Sequence, residues 1–177
     1  MPKANVNICK MLKQKFIKNY SSVIIAEQSD NIDDFYNECL MWEKILSANS
    51  LVLEKITNKA MTAEEKISLF EGLFDFSKIT YKYFLFLIQQ NKSEYWESVV
   101  KCCIREYKRI KGIGTADIVS AFPLDDVNKT KLCSFLKKKF KLNDVEISNR
   151  IDESIINGVI IYLDNFRIDL SLRKIFI

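Results

Sequence analysis

The sequence predicts a mainly α protein with a small α+β part. Residues 1–111 read as an N-terminal six-helix bundle, and residues 112–177 as a C-terminal strand–helix–strand–hairpin domain. Three observations carry this. Apolar residues recur at helical spacing as far as Ile110, and only Pro2 precedes Pro123, so no proline interrupts those helices. Gly112 and Gly114 then break the pattern. Beyond them, short β-branched runs alternate with turn residues and one helical stretch.

In the first helix Leu12, Phe16, Tyr20 and Val23/Ile24 share one face. The second starts near Asn31 and carries Ile32, Phe35/Tyr36, Cys39/Leu40 and Leu46. A short third covers 51–57. The fourth opens with Thr62-Ala63-Glu64-Glu65, a capping box in which Thr62 and Glu65 satisfy each other's free N–H, followed by Ile67, Phe70 and Phe74. The fifth, over 78–90, is apolar nearly all round, which predicts a central, enclosed helix. The sixth runs from Ser93 to about Lys111 through Trp96, Val99/Val100, Cys103, Tyr107 and Ile110.

In the second domain, 115–121 reads as a strand stopped by Pro123. Asp125/Asp126 begin a helix through Leu132, Phe135, Leu136 and Phe140, and Val145, Ile147 and Ile151 form the next strand. Asp152 and Ser154 can bond back to nearby N–H groups and start a single helical turn, which Gly158 ends. Residues 159–163 form a strand, Asp164-Asn165 a tight turn, and 166–168 the returning hairpin partner. Asp169 and Ser171 cap a last helical turn that carries Arg173.

A hydrophobic content of 48% with a net charge of +4 describes a soluble globular chain able to bury a core. The longest apolar run, 83–88, is far short of the ~20 residues a bilayer needs, and nothing resembles a secretory signal. Cys9, Cys39, Cys102, Cys103 and Cys133 are odd in number and lack metal-ligand spacing. They read as thiols in a reducing compartment, mostly small core hydrophobes. The first acidic residue is Glu27, after Lys3, Lys10, Lys13, Lys15 and Lys18; this reads as a solvated lysine-rich tail, since presequences favour arginine.

Chemistry is hard to find. With no histidine there is no near-neutral proton shuttle, and no GxxxxGK loop cradles a phosphate. Asp33–Asp34, Glu64–Glu65 and Asp125–Asp126 stand at helix starts, where they complement the dipole. No catalytic, cofactor or metal site is expected, and the chain does not read as an enzyme by itself. The rival is a helix-hairpin-helix-like, non-specific DNA binder, in which Lys111-Gly112-Ile113-Gly114-Thr115 holds a phosphate and Lys137, Lys138, Lys139 and Lys141 reinforce it. Against it, Ile118 stands where such modules carry a small residue, and Pro123 soon follows.

The stretch Asp152-Glu153-Ser154-Ile155-Ile156-Asn157-Gly158-Val159, followed by Ile168-Asp169-Leu170-Ser171-Leu172-Arg173, resembles the C-terminal signature of the delta subunit of F-type ATP synthases. The mitochondrial counterpart is the oligomycin-sensitivity-conferring subunit. Ser120-Ala121-Phe122-Pro123-Leu124 resembles that family's Ser-Ala-x-Pro-Leu strand end, and Thr62-Ala63-Glu64-Glu65-Lys66 the start of its fourth helix. Departures are Tyr20-Ser21-Ser22-Val23-Ile24 for Tyr-Ala-x-Ala-Leu, Asn91-Lys92-Ser93 for Asn-x-Arg, and Asp164-Asn165 for the hairpin Gly-Asp.

The resemblance implies a non-catalytic peripheral-stalk subunit of a proton-translocating F-type ATP synthase. The bundle would hold the amphipathic N-terminal helix of an alpha subunit, at the top of the alpha/beta head, in a groove between its first and fifth helices. Tyr20 and Ile24 are expected on one wall, Phe84 and Ile88 on the other. The second domain would engage the b subunits of the stalk. The expected location is peripheral, on the cytoplasmic side of the cell inner membrane or the matrix side of the mitochondrial one, with no nucleic acid and no membrane insertion. Arg173, with Asp152 and Asp169 near it in the motif, suggests an ion pair pinning the last turn to the sheet.

Overall fold

The helical periodicity of the first part becomes six α-helices: α1 (Lys3–Glu27), α2 (Ile32–Ala48), α3 (Ser50–Thr57), α4 (Ala63–Leu73), α5 (Lys78–Gln89) and α6 (Trp96–Lys111). The computed structural model describes residues 3–73, 78–155, 157–163 and 166–171, of which 3–9, 72, 73 and 78 are described by backbone only. Local chemistry sets the boundaries. The Asn49 side chain accepts from the Leu51 and Val52 amides and so caps α3. At α4 the capping box closes, with Thr62 N donating to Glu65 Oε2 (2.9 Å) and Glu65 N to Thr62 Oγ1 (3.2 Å). Ser93–Tyr95 is a 3-10 turn ahead of α6 rather than its first turn.

The core of this unit is aromatic. Trp42, Phe70, Phe84 and Trp96 are fully buried, with ring centroids 4.8–6.0 Å apart. Trp42 Nε1 donates to Thr80 Oγ1 (3.0 Å), so its burial leaves no orphaned donor. Trp42 extends the α2 stripe as Phe35–Cys39–Trp42–Leu46, all buried. Lys66 is 4% exposed; its Nζ donates to Ser93 Oγ (2.9 Å), and that hydroxyl donates to the Ile56 carbonyl (2.7 Å). Burial pulls the Lys66 ammonium below its ordinary pKa, with Glu94 partly opposing. Cys39, Cys102 and Cys103 are buried thiols.

Several expectations need correction. The fifth helix is not enclosed, because Lys82, Phe86 and Gln89 of α5 face outward. Leu12, Val23 and Ile110 keep to their apolar stripes yet are exposed. The early lysines do not form a tail: Lys10, Lys13, Lys15 and Lys18 lie exposed along α1. Phe74 lies outside the described residues. None of the described helices is long and apolar enough to cross a membrane.

The second part forms β1 (Ile113–Ser120), α7 (Asp126–Phe140), β2 (Asp144–Ile151), β3 (Val159–Leu163) and β4 (Phe166–Asp169), with sheet order β2-β1-β3-β4. β1 and β2 are parallel, so the chain must cross over between them, and α7 is that crossover. The β1–β3 and β3–β4 pairs are antiparallel. Ala116, Ile118, Leu136, Val145, Ile161 and Leu163 form the core between helix and sheet. The Asp125 side chain caps α7 by accepting from Asn128 N (2.7 Å).

By internal packing the chain divides into two compact units, Met1–Tyr107 and Lys108–Ile177. That division lies within the last turns of α6, a turn of helix ahead of the boundary expected at 111/112.

Candidate docking site

Along α1, Phe16 and Tyr20 are half-buried against the core and Val23 is exposed, while α5 presents Lys82 and Phe86. These side chains form an ordered row. Tyr20 stacks on Phe16 (5.8 Å, 8°) and on Phe86 (5.6 Å, 19°), and Phe16 also meets Tyr95 (5.7 Å). The Tyr20 hydroxyl donates to the Tyr83 carbonyl (2.9 Å), which fixes its ring between the two helices. Burial, then the neighbouring Tyr83, raises the Tyr20 phenol well above its ordinary pKa, so it stays neutral. Phe86 is 45% exposed and Val23 62%, leaving an apolar strip open to solvent.

The strip has charged ends. At one, Lys82 Nζ pairs with Glu27 Oε1 (2.5 Å). At the other, Lys92 Nζ lies 4.3 Å from the Phe16 ring centroid and Lys13 Nζ 4.7 Å from that of Tyr95.

Of the four expected wall residues, only Tyr20 is at the surface. Ile24 (1% exposed), Phe84 (0%) and Ile88 (4%) belong to the interior and cannot line an open groove in this conformation. The reason is helical phase: Phe84 and Phe86 are two residues apart, roughly 200° round a helix, so when one fills the core the other faces away. Phe16 stands on the expected face of the first helix, whereas exposed Phe86 and half-buried Tyr95 were not among the expected wall residues. For Phe86 the available signal was its place two residues from Phe84, out of phase with the buried face of α5.

The C-terminal signature is a closure of the second unit. Gly158 has φ +92°, and a Cβ there would stand 2.2 Å from the Leu170 carbonyl oxygen, so only glycine allows the two halves of the signature to meet. Leu170 N donates to the Val159 carbonyl (2.9 Å), and Ile168 pairs with Ile161. Asp169 Oδ1 accepts from the Ser171 amide (3.1 Å) and hydroxyl (2.7 Å). Asp152 accepts from Ser154 N (2.9 Å), and Ile155 N donates to the Asp152 carbonyl (3.1 Å). These bonds make a tight turn instead of the expected helical one. Asp169 pairs with Arg167 (3.0 Å), a partner the sequence reading did not name. Arg173, Asp164 and Asn165 lie outside the described residues, as does the expected last helical turn.

Beside Gly158 a cleft of about 490 Å³ opens, lined by Phe122, Pro123, Leu124, Leu132 and Phe135 among others. Phe122 and Phe135 are exposed there. The Ser120 hydroxyl donates to the Phe122 carbonyl (2.6 Å), holding the Ser-Ala-Phe-Pro-Leu bend in place.

The Gly112-Ile113-Gly114 segment makes no hairpin between helices. Gly114 is buried in β1 opposite Val145, and Lys137 is engaged by Asp144 (2.7 Å), so the proposed phosphate cradle does not exist. Among the described residues no three His, Cys, Asp or Glu side chains converge as a metal site.

The chain is similar to known proteins along most of its length. Residues 19–175 match the family model described as ATP synthase delta (OSCP) subunit. The ATP synthase subunit delta of Acetivibrio thermocellus is 28% identical over 153 residues, covering 84% of this chain and 85% of that protein. The namesake subunits of Lactobacillus acidophilus (23% identical; 92% and 91% covered) and Streptococcus pyogenes serotype M1 (26%; 92% of each) are similar along nearly their whole length. A chain of the Toxoplasma gondii mitochondrial ATP synthase hexamer has the same fold, with a TM-score of 0.71 at 10% identity, over 90% of this chain and 92% of that one. The chain belongs to the ATP synthase delta (OSCP) subunit family.

Proposed function

We propose that the chain ties the catalytic head of a proton-translocating F-type ATP synthase to its peripheral stalk. As a family member it is a peripheral-stalk subunit of such an enzyme and not the catalytic one. The first unit receives the amphipathic N-terminal helix of an alpha subunit on the α1–α5 strip. The second unit engages the distal end of the b subunits, with the apolar cleft at Phe122 and Phe135 as the surface for it. The complex holds the chain as a peripheral protein on the cytoplasmic side of the inner membrane.

The observation that carries this reading is the exposed pair Phe86 and Val23, set beside the half-buried rings of Tyr20 and Phe16, a partly open apolar strip. One anchor is too weak to resist torque. Burying an apolar side chain contributes roughly 1.5–3 kcal/mol, while association costs about 4–15 kcal/mol. Several anchors on one helix, linked to a second attachment through the other unit, overcome that cost because the second contact becomes intramolecular. The test is an affinity pull-down of the tagged full chain from detergent-solubilised host membranes. Alpha, beta and b subunits should co-purify, and the head subunits should be lost when the alpha N-terminal segment is deleted. Retention of the head without that segment would refute the assignment.

A further inference from the structure

The described thiols of the first unit, Cys39, Cys102 and Cys103, are all buried, and two of them meet across helices distant in the chain. α2 and α6 run antiparallel: the Tyr107 hydroxyl donates to Asp33 (2.7 Å), Tyr36 stacks on Tyr107 (3.8 Å, 9°), and Trp42 meets Trp96 edge-on (5.3 Å). Between those two ring contacts each helix places a cysteine on the contact face. Cys39 is three residues from both Tyr36 and Trp42, and Cys103 is four before Tyr107 and seven after Trp96. The two residues are 1% and 2% exposed, and their thiols hydrogen-bond to each other. Cys102 does not share that face. It turns toward α1, where with Gln14, Ile17, Lys18 and Arg105 it borders a groove of about 560 Å³.

We propose that Cys39 and Cys103 form a site of reversible oxidation, at which a peroxide converts the thiol pair to a disulfide that staples α2 to α6. The inference is independent of the docking reading, since neither cysteine lies on the α1–α5 strip. Cys103 is the attacking sulfur. Hydrogen bonds from the Cys39 thiol and then the Ser21 hydroxyl favour its thiolate against the burial that opposes it, so it is held below the ordinary thiol value. The same bond, then burial, pushes Cys39 up. The Cys103 sulfur breaks the peroxide O–O bond, forming a sulfenic acid and releasing one water. The Cys39 sulfur then attacks the sulfenic sulfur, the S–O bond breaks, and the hydroxide leaves with the Cys39 proton as a second water. The two thiols lose two electrons and two protons, and the peroxide takes them up. Burial shields the pair from bulky oxidants, whereas a peroxide, close to water in size, needs only a local opening of α6. The link closes the long loop that carries α3, α4 and α5, where closure restricts the unfolded chain most. Thiol reductants restore the pair by exchange.

The test uses the full chain, treated in its native state with hydrogen peroxide, alkylated, and mapped by mass spectrometry without reduction. The expected product is an intramolecular Cys39–Cys103 link that dithiothreitol reverses. Melting of the first unit, followed by tryptophan emission, should rise by about 5–15 °C in the linked chain. Cys102→Ser should form the link as the parent does, whereas Cys39→Ser should stop at a Cys103 sulfenic acid that a dimedone probe traps. A link through Cys9, Cys102 or Cys133 instead, or over-oxidation that leaves Cys39 and Cys103 unjoined, overturns the proposal. So does a link that forms only after unfolding in urea, and a native link without any rise in melting overturns the staple. Should Cys39→Ser fail to fold, the map of the parent chain alone decides.

Discussion

Replacing Phe84 or Phe86 by alanine separates folding from docking, because the two rings sit on opposite sides of one helix turn. Phe84 is fully buried and touches Trp42, Phe70 and Trp96. Phe84→Ala should cost about 3–5 kcal/mol, the range for a phenylalanine removed from a packed core, out of a total of roughly 5–15 kcal/mol. Phe86 is 45% exposed and stacks only on Tyr20 among described rings. Its removal should cost roughly 1–2 kcal/mol of stability, for the covered part of the ring and the lost stack. Covering its open part on docking is worth about 0.7–1.4 kcal/mol, or roughly three- to tenfold in Kd. The assay pairs urea denaturation, followed by tryptophan emission, with calorimetric titration of the alpha N-terminal peptide. Both tryptophans, Trp42 and Trp96, lie in the first unit, so the optical signal reports the unit that carries the strip. If folded Phe86→Ala binds the peptide as tightly as the parent, the strip is not the docking surface. If Phe84→Ala costs under about 1 kcal/mol, the core assignment is wrong.

Further perturbations probe other parts of the chain. Thr62→Ala and Glu65→Ala should each lose about 0.5–2 kcal/mol, and the double variant less than their sum, because one capping box is being removed twice. Tyr107 donates to Asp33 (2.7 Å), and that bond, then burial, pushes its phenol up to about 12. A raised folded value means its contribution is complete below the unfolded value near 10 and is lost as pH climbs to about 12. Tyr107→Phe should abolish that part of the alkaline fall in stability, measured as the difference between parent and variant. Lys66 has the opposite sign: its folded value lies below the ordinary 10.5, so the cost of burying its charge is present at neutral pH and disappears as pH rises toward 10.5. Lys66→Met should be neutral to stabilising at pH 7, with the gain shrinking toward pH 10 in matched melts.

The sequence reveals elements more readily than it reveals surfaces. Six helical stripes, one strand–helix–strand unit and a hairpin are legible because their periods, 3.6 and 2, are local properties of the chain. The capping box at Thr62–Glu65 is equally local. What local pattern misses is which apolar residues face outward. The run Tyr83-Phe84-Leu85-Phe86-Leu87-Ile88 reads as an enclosed helix because hydropathy counts every face alike. The fold instead buries Tyr83, Phe84, Leu87 and Ile88 and leaves Phe86 open. Ile24 and Ile88 failed as wall residues for the same reason, since a family-level groove says which helices matter and not which side of each. The tight turn at 152–155 escaped because Asp and Ser supply the same side-chain bonds to a turn as to a helix start.

The residues that identify the family and the residues that would touch a partner are separate sets, and this predicts two distinguishable kinds of failure. The described signature residues act within the second unit: Gly158 admits the Leu170 carbonyl, Asp169 holds Ser171, and Asp152 ties the turn at Ser154. A Cβ at Gly158 meets backbone atoms at 2.2 and 3.0 Å and also demands φ +92° from a residue that disfavours it. Gly158→Ala should therefore cost several kcal/mol, about 1–3 for the backbone conformation alone and more for the displaced strand. Hydrogen exchange should show β3 and β4 losing protection, while the alpha peptide still binds the first unit with parental affinity. A strip variant such as Phe86→Ala should give the converse, full protection in the sheet and a weakened peptide. Were Gly158→Ala to abolish peptide binding while leaving β3 and β4 protected, the signature would have to be moved from the fold to the interface.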